Sequence, residues 1–135
     1  MTKLKPETIY ESPYRNLFTG PPMNQHEPGA KLDQAKPRVS LILGDFANAL
    51  EYVSKVGTIG ANKYTDHGWK EVENGFERYS NAMLRHWIKE HQGEFTDKEL
   101  TKMAQEDIPH AACVAWNALA RLEILLQNDK HTKFI

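Results

Sequence analysis

The chain has 135 residues, 40% of them apolar and 26% charged, with a formal charge of −1. A near-neutral balance excludes a general nucleic-acid coat but leaves room for a local basic pocket. No apolar run approaches the roughly 20 residues that span a membrane, and a single cysteine, Cys113, excludes an intramolecular disulfide. These features, with an N-terminus that lacks the apolar stretch of a secretory signal, fit one domain in a reducing cytoplasm.

Residues 1–37 read as an irregular arm. Pro6, Pro13, Pro21, Pro22, Pro28 and Pro37 run through it with Gly20 and Gly29, and such proline density forbids a long helix. Tyr10, Tyr14 and Phe18 are the side chains that would pin it to a neighbour. A helical domain follows over 38–135. Periodicity starts near Val39, where Phe46, Ala49, Leu50, Val53 and Val56 recur at helical spacing opposite Asn48, Glu51, Lys55 and Thr58. Gly57 and Gly60 loosen this pattern, so residues 60–69 read as a helix end and a loop.

A second helix is predicted from about Val72 to His91, with an apolar stripe of Phe76, Tyr79, Met83 and Trp87 and a stop at Gly93. Thr96-Asp-Lys-Glu99 has capping-box spacing and opens a short third helix. The last helix starts at Ile108 or Pro109 with Asp107 as N-cap, and runs to about Leu126. Its broad apolar face is Ala112, Ala115, Trp116, Leu119, Leu122 and Leu126. The expected fold is all-α, a bundle of about four helices with an irregular proline-rich arm. Apolar positions beside the stripes, such as Ile88, Val114, Ile124 and Leu125, suggest burial on more than one side and hence a homo-oligomer.

Five groups of residues have chemical potential. Lys31, Lys36 and Arg38 could grip phosphate, as point charges and as a guanidinium fork. In 57–70, Gly60 permits close backbone approach, Lys63 can reach a phosphate, and Tyr64 or Trp69 can stack on a base. It is not a Walker loop, because the Gly-Lys-Ser/Thr order is missing. Arg78 and Arg85 share a helix face, with His86 next to Arg85 on the same helix. Glu94 and Asp97 are carboxylates that could share Mg²⁺. Asp107 and His110 are followed on the last helix by Asn117 and Arg121. Taken singly, each group reads equally as a solvated face, a helix cap or a core residue. Cys113, mid-helix among alanines, reads as an inert packed thiol.

In order, Lys31-Leu-Asp33-x-x-Lys36-Pro-Arg38, Gly60-Ala-x-Lys63-Tyr64 with Trp69, Arg78-Tyr79-x-x-Ala82-x-x-Arg85-His86, Gly93-Glu94-x-x-Asp97, then His110 and Ala115-Trp-Asn117 resemble the phage dATP/dGTP diphosphohydrolase N-terminal-domain family. The resemblance covers roughly residues 31–123. All-α MazG-like pyrophosphohydrolases are a looser architectural analogy. Cys113 and the Lys-Glu-Leu after Asp97 depart from the family pattern.

The resemblance implies a metal-dependent phosphohydrolase acting on deoxynucleoside triphosphates in the host cytoplasm. Lys31, Lys36, Arg38, Lys63, Arg78 and Arg85 would hold the phosphates, and Tyr64 and Trp69 the base. Glu94, Asp97 and Asp107 would hold Mg²⁺ or Mn²⁺, and His86 and His110 would carry protons. Two alternatives are a non-catalytic protein that sequesters a signalling nucleotide, linear or cyclic, and a helical interaction protein without a nucleotide. None of the three calls for a membrane or a long nucleic acid.

Overall fold

The computed structural model describes residues 24–33 and 36–128. The aromatic residues Tyr10, Tyr14 and Phe18 of the arm lie outside the described residues. The chain divides after Asp45 into two compact units, whereas the change of composition placed the division at residue 37. In the first unit, turns close through Glu27 N–H on Asn24 O and Ala30 N–H on Glu27 O, with Gly29 at φ +85°. A single helical turn, α1, spans Ser40–Leu43 and buries none of its residues.

The second unit is all-α. Its helices are α2 Ala47–Lys63, α3 Gly75–His91, α4 Lys98–Ala104 and α5 His110–Asn128, with a 3₁₀ turn at Gly68–Glu71 between α2 and α3. α3 lies along α5, α2 packs on α5, and α4 packs on α2. The core is small: Val56, Ile59, Ile108, Ala112 and Cys113 are buried, with Tyr52, Leu100, Ala104 and Trp116 packed around them.

Periodicity alone predicted one continuous helix from Val39; the chain instead breaks between α1 and α2. α2 runs through Gly57 and Gly60 and ends at Lys63, within the stretch read as a helix end. A Cβ on Gly57 would sit 3.1 Å from Trp116 Nε1, so the glycine admits the indole against the helix. That contact offsets a helix-interior glycine cost of about 0.5–1 kcal/mol. Gly75 serves the same purpose at the start of α3, where a Cβ would come 3.1 Å from Ile124 Cδ1.

α3 stops as predicted near Gly93. Gly93 takes φ +93°, its N–H bonds Glu90 O, and the Glu94 N–H bonds Lys89 O. This is a Schellman closure, and it sets Glu94 immediately beyond the helix. The predicted stripe of α3 is only partly covered: Tyr79 and Met83 are half-buried, while Phe76 and Trp87 are exposed.

Two caps differ from expectation. Asp97, not Thr96, caps α4; its Oδ1 accepts from Leu100 N–H at 2.8 Å. Asp107 is exposed and does not begin α5. Residues 108–110 pair instead with 95–97: Asp97 N–H bonds Ile108 O at 2.9 Å, and His110 N–H bonds Phe95 O at 2.8 Å. This short antiparallel bridge satisfies backbone groups that Asp107 would otherwise have capped. On α5 the buried side is His110, Ala112, Cys113, Asn117 and Ala120, and Leu119, Leu122 and Leu126 are exposed. Small and polar residues, rather than the leucines, face the other helices.

Candidate functional site

A cleft of ≈ 1100 Å³ opens in the second unit between α2, α3 and the start of α4. Ligand sites commonly hold about 300–1,000 Å³, so a nucleotide fits with room for water. The C-terminal half of α2 supplies Gly60, Lys63 and Tyr64; α3 supplies Arg78, Arg85 and His86; Asp97 comes from the cap of α4. Gly60 would meet nothing within 4 Å if it carried a Cβ, so the helix surface there is open to the cleft.

At the mouth the side chains are exposed. Tyr64 is 74% exposed, and Lys63 Nζ sits 5.4 Å from its ring centroid while bonding Glu99 Oε1 at 2.7 Å. That bond raises the Lys63 pKa above its usual value. Among the described residues, Arg78 reaches only Glu73 O, at 3.5 Å, and Arg85 has no ion-pair partner. Trp69 is different. It meets Tyr79 and Trp116 edge-on, at 6.2 and 5.8 Å between centroids, and its carbonyl accepts from Tyr79 Oη at 2.9 Å. With Tyr79 and Trp116 it forms an aromatic wall, which leaves Tyr64 as the ring free to stack.

At the floor three segments converge. His86 Nδ1 and His110 Nδ1 are 2.8 Å apart, and Asp97 Oδ2 lies 3.7 Å from the first and 3.9 Å from the second. Asp97 is locked twice, by its cap bond through Oδ1 and by its backbone bond to Ile108, which leaves Oδ2 for the histidines. Candidate ligand atoms of His86, Asp97 and Cys113 also lie within 4.8 Å of one another. His110 and Cys113 are each 1% exposed; they sit behind His86 and Asp97 rather than lining the cleft.

The electrostatics follow from burial. Desolvation pushes His86 below the usual histidine range; the Asp97 charge opposes this, while His110 and Arg85 add to it. Desolvation, reinforced by Asp97, pushes the Cys113 thiol up to about 12. Glu94 Oε2 stands 3.4 Å from His110 Nε2. At that distance the carboxylate attracts a proton on Nε2 without completing a hydrogen bond, so Nε2 has no hydrogen-bond partner among the described residues. Protonation at Nε2 is the favourable tautomer there, and it turns the Nδ1 lone pair toward His86. Burial also opposes ionisation of Glu94, but Lys89, His110 and Lys98 outweigh it and hold the carboxyl below its usual range.

The structure therefore brings Lys63, Tyr64, Trp69, Arg78, Arg85, His86 and Asp97 to one cleft. His110 adjoins it from behind, and Glu94 backs His110. Asp107 is exposed and outside both groups. Lys31, Lys36 and Arg38 are exposed residues of the first unit. Arg121 turns away, donating to Ser80 Oγ and lying over the Phe76 ring. Sequence reasoning missed Cys113 as a possible ligand, although His110 and Cys113, three apart on a helix, share a face.

The sequence matches the family described as dATP/dGTP diphosphohydrolase, N-terminal, over residues 26–133. The chain belongs to that family. No curated protein and no solved structure matches it. Among the described residues no helix is long and apolar enough to cross a membrane.

Proposed function

We propose that the protein is a metal-dependent phosphohydrolase of deoxynucleoside triphosphates, and that the cleft is its active site. The observation that carries this reading is the convergence, in one cleft, of three cationic side chains and an exposed aromatic ring with a half-buried imidazole–carboxylate pair backed by the buried His110. The family match supports it.

Arg85 and Arg78 are placed to neutralise a phosphate chain with forked hydrogen bonds. Lys63 joins them by exchanging Glu99 for a phosphate oxygen. Tyr64 offers its face to the base. The floor fits a divalent cation on its own chemistry: two imidazole nitrogens and a carboxylate oxygen lie within 3.9 Å of one another, and burial favours the neutral form of His86, as a ligand must be. His86, Asp97 and His110 would hold it, with Glu94 orienting His110 from outside. When bound, such an ion polarises phosphoryl oxygens and activates water. The Mg²⁺ set expected from sequence keeps Asp97; Glu94 takes the outer position, and Asp107 has no part.

The exposed Leu84, Trp87 and Ile88 of α3, with Leu119, Leu122 and Leu126 of α5, support a further proposal, that the chain works as a homo-oligomer; light scattering of the purified protein measures this.

The test is to incubate the protein with deoxynucleoside and ribonucleoside triphosphates and cyclic nucleotides, with and without divalent metal, and to analyse products before and after denaturation. Metal-dependent conversion of a deoxynucleoside triphosphate is the expected result. A nucleotide that disappears and returns intact on denaturation would replace the enzyme with a sequestering protein.

A further inference from the structure

A magnesium site is built from oxygens. The floor of this cleft is not. Of the groups that meet there, Asp97 is the one oxygen donor; His86 and His110 offer nitrogen and Cys113 offers sulfur. Their positions come from three separate segments. His86 stands on α3, Asp97 caps α4, and His110 and Cys113 are one turn apart on α5.

We propose that His86, Asp97, His110 and Cys113 form a binding site for a borderline divalent transition metal of the zinc and cobalt(II) class, with the Cys113 thiolate as a ligand. The inference deepens the reading above by naming the ion, and depends on it only for what the ion is used for.

Four observations support it. The donor types are those zinc and cobalt(II) select, mixed imidazole, thiolate and carboxylate. For the two imidazoles and the carboxylate the spacing is close to what one ion requires: two nitrogens bonded at about 2.0–2.1 Å stand roughly 3.3 Å apart in a tetrahedral site, while the Cys113 sulfur, within 4.8 Å of the His86 and Asp97 donor atoms, would close further on binding. The histidine pair at 2.8 Å therefore opens by a few tenths of an ångström, and Asp97 at 3.7 and 3.9 Å closes slightly.

Charge is the third. His110 and Cys113 are each 1% exposed, and an unpaired charge there is expensive. One carboxylate, one thiolate and two neutral imidazoles sum to −2, which cancels a divalent ion. The thiol supplies its share by losing its proton to solvent as the sulfur–metal bond forms, so one proton leaves for each ion bound. Finally, Glu94 Oε2 faces His110 Nε2 at 3.4 Å. That arrangement of carboxylate, histidine and metal fixes a ligating imidazole with its lone pair toward the ion.

The experiment is a titration of chelator-treated full-length protein with Co²⁺, followed by absorbance. Wild type should bind one equivalent with a near-ultraviolet sulfur-to-cobalt charge-transfer band. Zn²⁺ should remove the band, and a large excess of Mg²⁺ should leave it. Cys113→Ser should lose the band, and Glu94→Gln should keep it while weakening affinity about 10–100-fold. If Cys113→Ser does not fold, X-ray absorption of the zinc-loaded wild type replaces it and should show sulfur bound to zinc. Cobalt binding without the band, zinc without sulfur, or displacement by Mg²⁺ would each overturn the assignment. Hydrolysis supported by Mg²⁺ alone, with no cobalt band, would sink the metal assignment and spare the phosphohydrolase. A cobalt–thiolate band in a protein that hydrolyses no nucleotide would do the reverse.

Discussion

At the floor of the cleft and just behind it, His86, Asp97, His110 and Cys113 come from three segments, two of which are joined by backbone bonds, and His110 and Cys113 are almost wholly buried. At the mouth, Lys63, Tyr64, Arg78 and Arg85 stand exposed on two helices. A buried cluster is positioned by packing before any ligand arrives, so its members act together and its geometry tolerates little change. An exposed side chain is positioned by its ligand, acts nearly alone, and is expected to contribute to affinity rather than to the chemical step.

Asp97 gives the largest contrast. Asn can still cap a helix, so Asp97→Asn should unfold within about 1 kcal/mol of wild type, while turnover falls by about 10²-fold or more through loss of the carboxylate charge. Asp97→Ala should lose the cap as well and cost roughly 0.5–2 kcal/mol in thermal or urea unfolding. Equal activity in Asp97→Asn and wild type would remove the floor from the chemistry.

Trp69 tests where the aromatic wall belongs. It packs against Tyr79 and Trp116 and takes a hydrogen bond from Tyr79, so Trp69→Ala should destabilise the fold by about 3 kcal/mol, measured by urea denaturation. A normal unfolding midpoint with weakened nucleotide binding would move Trp69 from the wall to the ligand.

Arg85 has no competing ion pair among the described residues. Arg85→Ala should weaken triphosphate binding by about 1.5–3 kcal/mol, as for a lost charge-assisted hydrogen bond, with kcat much less affected. Calorimetry and steady-state kinetics together read this split. A fall in kcat with unchanged binding would place Arg85 with the floor.

Tyr64 carries the smallest effect. Tyr64→Ala should cost about 1–3 kcal/mol of nucleotide affinity through lost stacking, toward the lower end for so exposed a ring, and leave inorganic triphosphate binding unchanged. Equal losses for nucleotide and inorganic triphosphate would mean that Tyr64 does not meet the base.

The all-α class, the helix around Tyr79 and Met83, its stop at Gly93, and the cleft residues Lys63, Tyr64, Arg78, Arg85 and His86 were legible in the chain itself. These depend on local rules: the 3.6-residue period, the positive φ of Gly93, and the shared face of residues three or four apart. Tertiary structure alone decided the rest. Gly57 lies within a helix because Trp116, 59 positions later, fills the space a Cβ would take. Asp107 does not cap α5 because residues 108–110 pair with 95–97. The same bridge brought Asp97 to His110 and, with α3 beside α5, set His86 in reach of both and Cys113 in reach of Asp97. Helical periodicity reports which side of a helix is buried, but not what lies against it. The meeting of an oxygen, two nitrogens and a sulfur from three segments is a property of the packing between them.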